Sequence, residues 1–224
     1  MSAQLPLALA LPKRPARGRA DFRVSPSNEP AVRLIDGWRG WPGGALALTG
    51  PEGSGKTHLA LVWADMAGAE RVSAATLRAE DAPALVAAGA VAVEDADRLD
   101  GDRAAEAALF HLINLARAEA AALLVTGRAP AGAWPIATPD LASRLSAMMT
   151  VRLDPPDEAL LAALLDKHFE DRRLAVPSEL TRRLARRIER SAAAAAAAAA
   201  RLDDAALRAG KPITWPFAKA ILGL

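Results

Sequence analysis

A chain of 224 residues that is 52% hydrophobic and 24% charged is long enough for one α/β core with a small appendage, and too apolar to be disordered. It has no cysteine, which excludes disulfides, thiol catalysis and Cys-based zinc sites, and His58, His111 and His168 are too scattered to suggest a metal site. The formal charge of +2 is too small to predict nucleic-acid binding by itself, no apolar run approaches the roughly 18 residues that span a bilayer, and the start lacks a basic signal region, so a cytoplasmic protein without membrane contact is expected.

Residues 1–20 divide into an apolar stretch from Gln4 to Leu11 and a Pro-, Gly- and Arg-rich stretch that reads as a linker. Val32, Leu34, Ile35 and Trp38 give the segment from Asn28 to Trp38 a helical apolar pattern, which a turn at Pro42-Gly43-Gly44 closes. Ala45–Thr49 is a short buried strand running into a glycine-rich loop and a helix from Lys56. Arg71–Ala74, Ala90–Glu94, Ala121–Thr126 and Met149–Leu153 are further strands that alternate with helical stretches, the pattern of a parallel sheet covered by helices. After Asp154-Pro155-Pro156 the pattern becomes helical throughout: Glu158–Arg172, Ser178–Arg190, a run to Arg208, and Trp215–Leu222. The expected organisation is a tail over 1–20, an α/β nucleotide-binding domain over 21–153 and an all-α lid over 154–224. Ala192–Ala200 is a run of alanine with high helix propensity and no bulky apolar stripe. It reads as natural low complexity or, preferably, as alanine standing where bulkier side chains belong.

Gly50-Pro51-Glu52-Gly53-Ser54-Gly55-Lys56-Thr57 fits G-x-x-x-x-G-K-[ST] between a strand and a helix. Its backbone N–H groups and the helix N-terminus suit phosphates, Lys56 suits the terminal phosphates and Thr57 suits magnesium; His58 follows directly. Val91–Asp97 is a hydrophobic strand ending in carboxylates, the form of a Walker B element, with Glu94 on the magnesium side and Asp95 on the water side. Glu94 stands where Asp is usual, which puts intrinsic turnover in question. Thr126 ends another buried strand and is placed to meet a γ-phosphate or an attacking water, or simply to cap the strand.

These elements in order, followed by Asp140-Leu141-Ala142-Ser143-Arg144-Leu145, resemble the AAA+ core of the DnaA family, whose corresponding arginine reaches a neighbour's nucleotide. The resemblance implies a five-stranded parallel sheet sandwiched by helices and followed by the lid, with ADP or ATP and Mg2+ as cofactors and Arg144 as an arginine finger. It places a sensor arginine at Arg190, with Arg187 as the alternative, and an adenine-flanking segment over Phe22–Asn28, of which Phe22 and Asn28 are the contacts; capping of a helix by Asn28 fits the same residues. The resemblance runs from Phe22 to the lid without the initiator's helix-turn-helix domain, which is the pattern of the Hda subfamily. Gln4, Leu5, Leu7 and Leu9 are similar to a sliding-clamp-binding peptide, although an apolar N-terminus can also pack on its own domain.

The resemblance therefore implies a regulator that docks on the DNA polymerase III sliding clamp, stimulates ATP hydrolysis by DnaA and touches DNA only through the clamp. A homo-oligomer is compatible with it. The rival reading is a DnaA-like ATPase that loads or remodels a helicase.

Overall fold

The computed structural model describes residues 22–99 and 101–224. Gln4, Leu5, Leu7 and Leu9 lie outside these residues. The expected strands form one parallel sheet of β1 (Ala45–Thr49), β2 (Glu70–Ser73), β3 (Ala90–Glu94), β4 (Ala122–Gly127) and β5 (Met149–Arg152), in the order β2-β3-β4-β1-β5. Because β1 lies between β4 and β5, connections leave its C-terminal edge in opposite directions, and the loop after β1 opens at a topological switch point.

Side-chain alternation divides the core into two layers. Val91, Val93, Leu123 and Val125 face a cluster with Leu109, Leu112, Leu141 and Leu145, contributed by α4 (Arg103–Ala118) and α5 (Pro139–Ser146). Ala90, Ala92, Leu46, Leu48 and Leu124 face the other side, where α1 (Glu29–Asp36) and α2 (Lys56–Ala67) pack. Trp63 of α2 is fully buried there, with its ring stacked on Trp41 at 5.2 Å. A short α3 (Ala82–Ala87) packs on α4.

A third apolar cluster lies wholly within α6 (Glu158–Glu170), α7 (Ser178–Ala185), α8 (Ala192–Ala209), α9 (Trp215–Leu222) and the segments joining them. Ala195, Ala198 and Ala199 are buried in it beside Leu161, Leu165, Phe169 and Leu184, so α8 uses small side chains for close approach to its neighbours. Ser191 starts this helix by accepting the Ala194 N–H at 3.0 Å.

Several helices stop earlier than their apolar pattern. α1 ends at Asp36 before Gly37, α6 at Glu170 shortly before Arg173 takes a positive φ of 58°, and α7 at Ala185, where Leu184 C=O accepts both the Arg187 and Ile188 N–H groups. No helix among the described residues is long and apolar enough to cross a membrane.

Candidate functional site

The loop between β1 and α2 folds as a cradle because its glycines occupy conformations that side chains resist. Gly50, Gly53 and Gly55 have φ of +152°, +76° and +102°; a Cβ on Gly50 collides with the Leu153 carbonyl, and one on Gly53 lies 2.5 Å from Ser191 Cβ. Lys56 is buried, and its ammonium donates to Gly50 C=O at 2.7 Å and Pro51 C=O at 2.9 Å. Burial lowers its pKa below the ordinary lysine value, while the charges of Asp95, Asp97 and Glu52 favour the protonated form. Ser54 Oγ is buried with no hydrogen-bond partner among the described residues. An orphan hydroxyl beneath a glycine cradle at a helix N-terminus fits a phosphate group.

The cradle opens into a cavity of about 1050 Å³. Thr57 and Asp95 line its floor, Phe22, His58 and Leu61 one wall, and Leu160, Leu164, Lys167, His168 and Arg172 of the lid side the other. Phe22 meets His58 edge to face at 5.3 Å. An apolar wall opposite a cationic, glycine-lined floor suits a ligand with a flat ring at one end and phosphates at the other.

Geometry alters the roles expected from the sequence around β3 and β4. Glu94, expected to face magnesium, is drawn to the sheet edge by Arg71 of β2, whose Nε donates at 3.0 Å and whose Nη2 also bonds the same oxygen; Glu94 does not line the cavity. Asp95 does, because it turns the chain sharply at φ 56°. Thr126, expected to reach a phosphate or water, is buried and accepts the Asp95 N–H at 3.1 Å. Its hydroxyl therefore fixes the carboxylate turn, and Thr126 does not line the cavity. A magnesium ion here would rest on Thr57, Asp95 and the phosphates themselves, a donor set this hard cation accepts with water completing its shell.

The segment before α1 and the lid are tied to this cavity by bonds that sequence periodicity does not reveal. Asn28 lines the cavity with Phe22, and its side chain also closes its own loop: Oδ1 accepts the Ser25 N–H and Nδ2 donates to Arg23 C=O, both at 2.9 Å, while no side-chain cap bond to α1 forms. Asp157 caps α6 by accepting the Leu160 N–H at 2.7 Å, and its own N–H reaches Ser27 Oγ at 3.4 Å. Burial opposes its charge, yet the Leu160 N–H and the Ser25 and Ser27 hydroxyls hold its pKa below the usual aspartate value. The Ala192 N–H donates to Gly53 C=O at 3.3 Å, so α8 begins against the cradle.

Arg190, expected as the sensor arginine, is exposed before α8 and does not line the cavity, and Arg187 lies over Trp215 with 5.1 Å to the ring centroid. The turn that ends α7 points these side chains elsewhere. Lys167 and Arg172 supply the lid-side cations, joined by Arg128 from the end of β4, whose Nε donates to the buried Asp97 at 2.7 Å.

Arg144 occupies a different edge. Leu141 and Leu145 bury the inner face of α5, leaving Arg144 exposed with no ion pair among the described residues. It lines a small cleft with Ala45, Ala121 and Met148, at the starts of β1, β4 and β5, whereas the cradle follows the end of β1. The length of the sheet, about 16 Å for five residues, separates the two. The helix carrying Arg144 is anchored by Glu106 of α4, which is fully buried and accepts the Ala137 N–H at 2.8 Å, the Thr138 N–H at 2.8 Å and the Thr138 hydroxyl at 2.5 Å. These bonds, with Arg103, keep the Glu106 pKa below the ordinary value despite burial.

The switch-point cradle, the parallel order of the sheet and the helical lid define a P-loop module of the AAA+ class. Residues 157–222 match the family model of the Hda lid domain. The fold is similar to domain III of the replication initiation protein DnaA of Thermotoga maritima, with a TM-score of 0.76 and 18% identity over 95% of this chain and 98% of that one. It is also similar to AMPPCP-bound DnaA from Aquifex aeolicus (TM-score 0.60, 16% identity, 76% of this chain and 60% of that one) and to the Thermotoga maritima RuvB branch migration motor (TM-score 0.68, 16% identity, 88% and 67%). The fold is thus that of DnaA domain III, and the lid segment is similar to the lid domain of the Hda family.

Proposed function

We propose that the chain binds ADP or ATP with Mg2+ in the P-loop cavity and acts as a cytoplasmic regulator that supplies Arg144 to ATP held by the DnaA initiator. It docks on the DNA polymerase III sliding clamp through Gln4, Leu5, Leu7 and Leu9. The observation that carries this reading is the position of Arg144: exposed, without an ion pair among the described residues, and at the opposite edge of the sheet from its own cradle. A guanidinium so placed serves a nucleotide on another subunit, where it neutralises charge developing on the transferred phosphoryl group. The ion pair that removes Glu94 from the cavity supports weak intrinsic turnover, so Lys56 and Thr57 serve binding more than catalysis.

The test is conversion of initiator-bound ATP to ADP in the presence of this protein and clamp-loaded DNA. Arg144→Ala is expected to leave ADP binding intact and to lower stimulated hydrolysis by about 10³–10⁵, the range for loss of a finger supplied in trans. Arg144→Lys keeps the charge but not the planar fork, and is expected to restore little. Undiminished stimulation by Arg144→Ala would leave Arg144 a surface residue and favour an ATPase that uses its own Asp95 on another target.

A further inference from the structure

Away from the nucleotide cavity and from Arg144, the surface of α7 and the turn after it carries four exposed arginines, Arg182, Arg183, Arg186 and Arg187. Together with Glu179 they line a cleft of about 410 Å³ that holds no apolar side chain. The spacing explains the cluster: pairs four residues apart, Arg182 with Arg186 and Arg183 with Arg187, lie about one helical turn from each other. Two of the four also make ion pairs, both solvent-exposed, weak and readily exchanged for a phosphate. Arg182 bonds Glu179 at 2.9 Å, and Arg186 bonds Glu158 of α6 at 2.6 Å. Arg183 and Arg187 have no carboxylate partner among the described residues. Both lie over the indole of Trp215, with 3.9 Å and 5.1 Å from guanidinium carbon to ring centroid.

We infer that this arginine face binds the phosphate backbone of duplex DNA without reading its sequence. Stacking on Trp215 orders two guanidinia before any ligand arrives, which reduces the rotamer entropy lost on binding. Planar forks one turn apart match anionic oxygens that also repeat along a strand. An acidic protein segment normally adds an apolar anchor at the centre of its interface, and this cleft offers none. The indole face is already covered by the two arginines, so it is not open for the base stacking through which single strands are held. The contact is therefore electrostatic and backbone-directed, and it would bring the lid directly against DNA.

The experiment uses the full chain with ADP and a fluorescein-labelled 20-base-pair duplex of arbitrary sequence, followed by anisotropy between 50 and 200 mM salt. Two double variants are compared with wild type: Arg183→Gln with Arg187→Gln, and Arg182→Gln with Arg186→Gln. Each removed phosphate contact lowers the steepness of log K against log salt by about 0.9, so each double variant is expected to lower it by about 1.8. The loss of affinity across this salt range then shrinks by about 12-fold relative to wild type. If the first pair of changes disturbs packing on Trp215, seen as a lower melting temperature, the second pair decides, because its side chains are exposed and away from the ring. Wild-type salt dependence in the second variant overturns the proposal, as does tighter binding of a polyglutamate peptide than of the duplex at equal salt, which would assign the face to an acidic protein.

Discussion

Replacing Glu106 tests whether one buried carboxylate sets the position of the helix that carries Arg144. The side chain accepts three hydrogen bonds from Ala137 and Thr138, at 2.8, 2.8 and 2.5 Å, in a fully buried site. A hydrogen bond to a charged group contributes about 1.5–3 kcal/mol. The three share one acceptor group and are offset by the desolvation of the carboxylate, so the net loss in Glu106→Ala is expected at about 3–5 kcal/mol, the range for breaking a buried charged network. Glu106→Gln keeps one acceptor oxygen but turns an amide N–H toward a donor, and is expected to lose about 2–3 kcal/mol. For a chain of this size 1 kcal/mol moves the melting temperature by about 2–4 °C, so the glutamine variant should melt about 4–12 °C lower.

Calorimetry gives the melting temperature, and the initiator assay gives the functional effect: stimulation should fall although Arg144 is unchanged, because the start of α5 has lost its anchor. The pH dependence has a definite sign. The folded-state pKa is depressed, so the contribution is complete above the ordinary glutamate value of 4.5 and disappears as pH falls from there through the folded value. Melting of both variants within 2 °C of wild type, a threshold set at about half the smallest expected shift, would refute the reasoning by showing that burial cancels the three bonds.

Lys56→Ala is expected to abolish the rise in melting temperature that saturating ADP gives the wild type, since a ligand bound only to the native state stabilises by RT ln(1 + [L]/Kd). Arg71→Ala frees Glu94 from its ion pair at the sheet edge, and a rise in basal ATP turnover with little change in melting temperature is the expected result; unchanged turnover would separate Glu94 from catalysis altogether. Changing Gln4 and Leu7 together to alanine is expected to remove clamp binding in surface plasmon resonance while ADP stabilisation stays at the wild-type level. Retained clamp affinity would move the docking site elsewhere.

Much of this molecule is written in local sequence. All five strands lie within a residue or so of their sequence-based bounds: β1, β3 and β4 are short apolar runs because they are buried on both faces, whereas the edge strands β2 and β5 carry exposed polar residues and are marked by their place between helices. The phosphate cradle is legible because its chemistry depends on backbone geometry that only glycine supplies at fixed spacing, with Lys56 and Thr57 set by the first turn of α2. Helix ends are less legible: α1, α6 and α7 stop where loops must turn toward the next packing partner, which no apolar period records.

Tertiary structure decides which polar side chains reach the cavity. Glu94 and Asp95 are neighbours in the chain, yet the pairing of β2 with β3 brings Arg71 to Glu94 and leaves Asp95 to the ligand side. Thr126 has the right chemistry for a ligand, but it lies outside the cavity lining and accepts the Asp95 N–H, a partner fixed by a cross-strand contact, whereas Asn28 does line the cavity and is held there by Arg23 and Ser25. Arg190 has the expected place in sequence, while the turn between α7 and α8 gives the lid side of the cavity to Lys167 and Arg172. Glu106 is invisible to motif reading, since its role exists only where α4 meets the start of α5, 31 residues later in the chain. Sequence fixes chemistry where the determinant is local: a backbone conformation, an apolar period or a helix start. The partners of charged and hydroxyl groups come from distant segments, and only the packed sheet and lid bring those together.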